Sequence, residues 1–277
     1  MELKRASQFT VSELSQLWNR GYIGYFVPIQ FTDAQMEGHI RISDLDLEHS
    51  VIAMDGDTPA AFSFLAVRGQ RGWIGGVGVA PEYRGRGVAS ALFAGHTGVI
   101  RRETNLSHVQ LEVFVQNWAQ KVYERHGFAT TRQLSLYEGT LPAGRRAPDV
   151  QSGAVFPLLA HSERLHGEWV PCWQREPAGL TKSLPPTAQA LWTGPADAPT
   201  GYLIYNMREQ GIGITDAAAS DTATAATLLD GLAQAHPGVT VRIVNEPEGS
   251  PAAQALTALG CEETSAQYEQ HWAVRQR

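Results

Sequence analysis

The chain has 277 residues, of which 43% are hydrophobic and 18% charged, with a formal net charge of -6. That composition fits one large domain or two ordinary ones and excludes a disordered chain. The acidic balance, with a pI of about 5.8, argues against a dedicated nucleic-acid binder that works by neutralising phosphates. No stretch is long and apolar enough to suggest a signal peptide or a bilayer span. Cys172 and Cys261 form no CxxC pair and read as small buried hydrophobes, and the nine histidines are scattered without metal-ligand spacing. The expectation is a cytoplasmic protein with no metal, no nucleic-acid partner and no membrane partner; a homodimer is left open.

The elements follow in chain order. FTVSELSQLWN reads as an amphipathic helix with Leu14, Leu17 and Trp18 at helical spacing and Thr10 or Ser12 as its cap. A second helix follows Thr32 or Asp33. From Ser50 to Pro81, apolar runs broken by Asp55-Gly56-Asp57 and by Arg68-Gly69-Gln70-Arg71-Gly72 indicate antiparallel hairpins. A helix from Val88 to about Glu103 places Val88, Leu92 and Val99 on one face. HVQLEVFV is then a strand, WAQKVYERHG a helix ending at Gly127, and FATTRQLSLYEG another strand. LPAGRRAPDV, residues 141–150, is rich in Pro, Gly and charge and reads as a linker between a domain at 1–140 and one at 151–277. The second half repeats the order loosely, beginning with SERLHGEWVPCW as a helix. Aligning Gly260 with Gly127 sets Leu256 opposite Tyr123, which suggests an internal duplication.

Between the hairpins and the third helix lies VAPEYRGRGVASAL, residues 79–92. Amides at a helix start lack intrahelical acceptors and carry partial positive charge, glycines allow close approach, and arginines match phosphate oxygens. Gly85, Gly87, Arg84 and Arg86, with the amides of Val88, Ala89 and Ser90, therefore make a candidate pyrophosphate cradle. A plain surface turn, and a dinucleotide fingerprint Gly85-x-Gly87-x-x-Ser90, are the competing readings. A Walker loop lacks its lysine.

VAPEYRGRGVASAL resembles the acetyl-CoA-binding segment of the GNAT acetyltransferase superfamily, in which an Arg/Gln-x-x-Gly-x-Gly/Ala core follows a strand ending in V-x-P; here the core is Arg84-x-x-Gly87-x-Ala89. QNWAQKVYERHGF is similar to a second element of that family, matched by Ala119, Tyr123, Gly127 and Phe128. The family asparagine is displaced by one residue: Gln116 stands at its place and Asn117 beside it, so either can carry that contact, and Asn117 is the candidate. The resemblance implies an α/β (α+β) fold with a mixed, mostly antiparallel central sheet flanked by helices, duplicated in this chain. It implies an acetyl-CoA-dependent N-acetyltransferase acting on a small-molecule or peptide amine. A non-catalytic acyl-CoA sensor is the alternative, and a dinucleotide-binding enzyme a minor one. By the same resemblance, the backbone of Val77, Gly78 and Val79 contacts the acetyl and pantetheine groups, Tyr123 is the general acid, and Glu112 stands where some members carry a base.

The chemistry is consistent with those roles. A phenol of pKa about 10 is protonated at neutral pH and can donate to a thiolate whose thiol has a pKa of about 8.5, whereas an alkyl amine of pKa about 10.4 must first lose a proton. Tyr123 could equally be core, and Glu112 a solvated strand residue. Tyr22, Tyr25, Phe26 and Trp18 could line an acceptor pocket or simply pack the first helices together. In the second half TDAAASDTATAA replaces the glycine-arginine corner and sets Asp216 and Asp221 at a helix start, where they would oppose a pyrophosphate. Residues 151–277 are therefore expected to be a degenerate GNAT-like domain.

Overall fold

A computed structural model describes residues 1–143, 147 and 149–274. Of the expected linker, residues 144–146 and 148 lie outside the described residues. The chain divides into two compact units. The first is Met1–Thr131 together with the C-terminal segment from Glu269, and the second is Arg132–Tyr268. The division thus falls ahead of 141–150, and the end of the chain returns to the first unit.

The first unit comprises β1 (Glu2–Arg5), α1 (Val11–Gly21), α2 (Asp33–Ser43), β2 (Leu45–Asp55), β3 (Thr58–Arg68), β4 (Arg71–Val79), α3 (Val88–Glu103), β5 (His108–Phe114), α4 (Gln120–Arg125) and the start of β6 (Ala129–Thr140). The two caps are Thr10 and Thr32. Each closes a capping box, with Glu13 and Gln35 respectively, worth about 1 kcal/mol apiece. Strands β1 to β4 are antiparallel neighbours, and β4 pairs with β5 in parallel.

Alternation along the strands builds two buried faces. Phe62, Phe64, Gly76 and Gly78 face α1, where Gly76 makes room for Trp18 and Gly78 lets Gly21 approach to about backbone contact. Ala61, Val51, Ala53, Val77 and Val79 pack with Val88, Leu92 and Val99 of α3 on the other face. His96 of α3 lies fully buried there, bonded to Ser63 Oγ at 2.8 Å and to the His49 carbonyl at 3.0 Å. The carbonyl can only accept, so His96 Nε2 carries the proton.

The second unit continues with β7 (Val150–Gly153), α5 (Phe156–Leu159), α6 (Ser162–His166), α7 (Pro177–Ser183), β8 (Gln189–Thr193), β9 (Gly201–Arg208), β10 (Gly211–Ala219), α8 (Thr222–Ala235), β11 (Thr240–Pro247), α9 (Pro251–Ala258) and β12 (Glu262–Ala273), whose end from Glu269 belongs to the first unit. Within this unit β6, β11, β10, β9, β8 and β7 lie side by side, and only the β10–β11 pair is parallel. Each unit is thus a mixed, mostly antiparallel sheet flanked by helices. The order β8-β9-β10-α8-β11-α9-β12 repeats β2-β3-β4-α3-β5-α4-β6, and Gly127 (φ 95°) and Gly260 (φ 87°) both take left-handed backbone after the last helix.

One expected helix is corrected. SERLHGEWVPCW is helical only over Ser162–His166, because Gly167 turns left-handed (φ 54°) and Pro171 has no amide to continue the ladder; Trp173–Arg175 is a separate 3-10 turn.

Candidate functional site

The pairing of β4 with β5 stops early. It covers Arg71↔His108, Gly72↔Val109 and Trp73↔Gln110, and no pair follows. Ala80 donates to the Ala60 carbonyl at 2.9 Å, so by strand alternation the peptide groups of residues 76, 78 and 80 face β3 and those of 77 and 79 face the other side, while Gly75 is the extra residue of a β-bulge opposite Phe64 and Leu65. Buried main-chain groups need partners, and side chains supply them. The Gly75 carbonyl accepts from His39 Nε2 at 3.2 Å, the Val77 amide donates to the Tyr22 hydroxyl, and the Val79 carbonyl accepts from Arg84 Nε at 2.9 Å. Val77 and Val79 therefore line the opening. Gly78 contributes its lack of a side chain, since a Cβ there would lie 2.3 Å from Phe62.

At the end of β4 the chain makes a 3-10 turn, Pro81–Tyr83, and reaches the glycine corner. Gly85 (φ 73°) and Gly87 (φ 78°) are both left-handed, and a Cβ on either would meet nothing within 4 Å. Glycine is required there by backbone conformation alone, and the space beside it is open. Gly87 is the N-cap of α3 and no side chain caps that helix. The amides of Val88, Ala89 and Ser90 accordingly point out of the helix start without an intrahelical acceptor. Ser90 Oγ lies 3.1 Å from His126 Nε2, at the end of α4.

The two arginines separate in role. Arg84 donates to the Val79 carbonyl and, through its other nitrogen at 3.0 Å, to the carbonyl of Gly21 at the end of α1, so it pins the corner to the rest of the unit. Arg86 is exposed, with its guanidinium 6.0 Å from the Tyr83 ring centroid, and is the cation left to meet an anion at the corner. Glu82 beside it is paired with Arg20.

Tyr123 sits in α4 with 8% of its surface exposed, its ring 4.7 Å from Phe93 and 6.4 Å from Phe128. Burial, with a smaller contribution from Tyr25, pushes its pKa well above the ordinary phenol range, so it holds its proton at every physiological pH. Tyr22 and Tyr25, on the segment joining α1 to α2, shift in the same direction, again chiefly through burial. Asn117 closes a turn ahead of α4 by accepting from the Ala119 amide at 3.0 Å, and its side chain also donates to the Tyr25 hydroxyl. Gln116, its neighbour, is exposed. Glu112 lies on β5 just past the last β4 pair, half-buried, with Oε2 accepting from Trp73 Nε1 at 2.6 Å. The structure therefore gathers Val77, Val79 and the residue 84–90 corner around one opening.

The partners of Tyr22, Arg84, Asn117 and Glu112 carry no sequence signal, because they are long-range or depend on local side-chain direction. A further network went unseen in the second unit. Beyond the last parallel pair of β10 and β11, Ile214↔Ile243, stand Asp216 and Glu246. The almost fully buried Arg175 bonds both: Asp216 Oδ1 at 2.8 Å and Glu246 Oε2 at 2.6 Å, with the Asn245 carbonyl at 3.1 Å. His166 (3.3 Å), Tyr202 (2.7 Å) and Ser250 (2.5 Å) complete the two carboxylates. Asp216 is thus buried within β10 and not at a helix start; Asp221 alone takes that place, capping α8 by accepting from the Thr224 amide. The position corresponding to the open β4–β5 parting is filled by an arginine, and a carboxylate stands where the first unit has Gly87.

Residues 12–128 match the family described as Acetyltransferase (GNAT) family. No curated protein matches the chain. Among solved structures it resembles a GCN5-related N-acetyltransferase from Sphaerobacter thermophilus, with a TM-score of 0.71 at 13% identity over 99% of this chain and 96% of that one. It also resembles a GCN5-related N-acetyltransferase from Anabaena variabilis (TM-score 0.70, 18% identity, 99% of this chain and 73% of that one). A third is a tandem GNAT protein from the clavulanic acid biosynthesis pathway, with a TM-score of 0.65 at 14% identity over the whole of both chains. At these identities the structural likenesses establish the fold.

Proposed function

Residues 12–128 form a domain of the GNAT acetyltransferase family, and from that premise we propose that the chain is an acetyl-CoA-dependent N-acetyltransferase with one working unit and one degenerate unit. The observation that carries the proposal is the early parting of β4 from β5 beside an uncapped, glycine-opened helix start. The residues present fit the cofactor. Gly85, Gly87 and the amides of Val88, Ala89 and Ser90, with Arg86, would hold the pyrophosphate; Val77 and Val79 would hold the acyl end. Acetyl-CoA supplies the activated acetyl thioester when bound.

The chain's own residues account for the remaining steps. The Val77 amide, now engaged by Tyr22, is a donor to the thioester oxygen once the hydroxyl gives way, and a fixed donor of this kind is worth most where water is excluded. Tyr123 keeps its proton through burial and donates it to the departing sulfur. Glu112, held by Trp73, is the carboxylate proposed to receive a proton from the amine, directly or through water. For a neutral amine the balance closes: the N–C bond forms, the C–S bond breaks, Glu112 takes one proton from nitrogen and Tyr123 gives one to sulfur. A proton passing from Glu112 to Tyr123 through solvent restores both groups. The second unit is proposed to bind no acyl-CoA, because Arg175 with Asp216 and Glu246 fills its strand parting.

The test is thiol release from acetyl-CoA by purified protein in the presence of primary amines, with Glu112→Gln alongside. Amine-dependent release reduced at least tenfold in the variant is the expected result. Tight acetyl-CoA binding with no release for any amine would leave the sensor reading in its place.

A further inference from the structure

Three of the large hydrophobic side chains exposed on this protein occur on two neighbouring loops. Ile23 (53% exposed) and Phe26 (49%) lie between α1 and α2, and Trp118 (67%) lies between β5 and α4. The loops are joined, since Asn117 bonds Tyr25 and both Tyr25 and Phe26 meet the Phe114 ring, at 6.0 and 5.9 Å. Tyr25 in turn packs edge-on against Tyr22 at 5.0 Å and against Phe26 at 5.2 Å. Exposed apolar side chains grouped in this way mark a binding surface, and its buried tyrosines, Tyr22 and Tyr25, lie within electrostatic reach of Tyr123.

Among the neighbouring carboxylates, Glu82 is paired with Arg20 and Asp33 is turned to Ser15 Oγ at 2.5 Å, while Glu112, held by Trp73, is the carboxylate proposed for the reacting nitrogen itself. The three tyrosines of the cluster stay uncharged because burial raises them. A polyamine or a basic peptide would therefore find little to pair with its further cations, whereas an apolar body would find aromatic faces and edges.

Resting on the acetyltransferase proposal, we infer that the acceptor is a small monoamine with an aryl or branched apolar body, seated against Phe26, Tyr25, Phe114 and Trp118 with its nitrogen toward Tyr123. Desolvation among these rings also favours the neutral amine over the ammonium, which is the nucleophilic form.

The experiment measures kcat/KM for 2-phenylethylamine, ethylamine and spermidine at saturating acetyl-CoA, with acetyl-CoA affinity measured separately by calorimetry. The expected result is a preference for 2-phenylethylamine over ethylamine of about 10²-fold, the scale on which apolar pockets discriminate. Phe26→Ala and Trp118→Ala, at positions 49% and 67% exposed, are each expected to raise its KM about tenfold with acetyl-CoA affinity and melting temperature unchanged. Equal or better use of spermidine with normal acetyl-CoA binding overturns the inference and spares the acetyltransferase proposal. Absence of acetyl-CoA binding overturns both.

Discussion

Tyr123→Phe removes one oxygen and little else. The ring stays between Phe93 at 4.7 Å and Phe128 at 6.4 Å, and no hole is opened in the core, so stability should change by no more than about 1 kcal/mol. The chemical step should suffer more. A positioned general acid contributes roughly 10²–10⁴-fold, and at about 1.4 kcal/mol per decade the lower bound corresponds to about 2.7 kcal/mol of barrier. The assay is single-turnover thiol release at saturating amine, beside calorimetric acetyl-CoA affinity; kcat is expected to fall at least about 10²-fold with affinity unchanged. Because burial, and secondarily Tyr25, hold Tyr123 protonated beyond the ordinary phenol range, wild type should show no loss of activity near pH 10 from this group. Wild-type kcat in the variant, or an alkaline limb near pH 10 that the variant abolishes, refutes the assignment of a buried, permanently protonated acid.

Two further predictions concern stability. Arg175→Met leaves Asp216 and Glu246 buried against each other without their shared cation, and breaking a buried pair in this way costs about 3–5 kcal/mol. Calorimetric melting should therefore show a drop on the order of 10 °C in the transition of the second unit, and an unchanged melting temperature would contradict the network's role. His39 and His96, each lowered to about 4 mainly by burial, are neutral in the folded chain, while the unfolded chain takes up protons first, from the ordinary value near 6.5. The stability they confer is complete above about pH 6.5 and is lost as pH falls from 6.5 toward 4, by up to about 3 kcal/mol each. Urea denaturation at pH 7.5, 5.5 and 4.5 checks this, and a midpoint that does not fall over that range would count against it.

What was legible in the sequence was whatever local chemistry decides. Thr10 and Thr32 announce their helices because the cap and its Glu13 or Gln35 partner lie three residues apart. Gly85 and Gly87 announce a corner because only glycine takes that backbone without strain. The parting of β4 was not legible, since it depends on where β5 runs and GWIGGVGV is apolar on both faces in either case. Arg84 looked like a phosphate ligand, and its bonds to Val79 and Gly21 became visible only once α1 and β4 were brought together. Asn117, out of place by one residue as a ligand, has an occupation of its own in the turn before α4 and as a partner of Tyr25. In the second unit the loss of glycine and arginine was readable, but Arg175, far from Asp216 and Glu246 in sequence, was not.

The most direct measurement is calorimetric titration of the whole chain with acetyl-CoA, beside Gly87→Glu. The substitution sets a side chain on left-handed backbone and a carboxylate against the helix start, which opposes a pyrophosphate both sterically and electrostatically. The expected result is one site per chain in wild type and none in the variant. Two sites per chain, or binding that survives Gly87→Glu, would contradict the account.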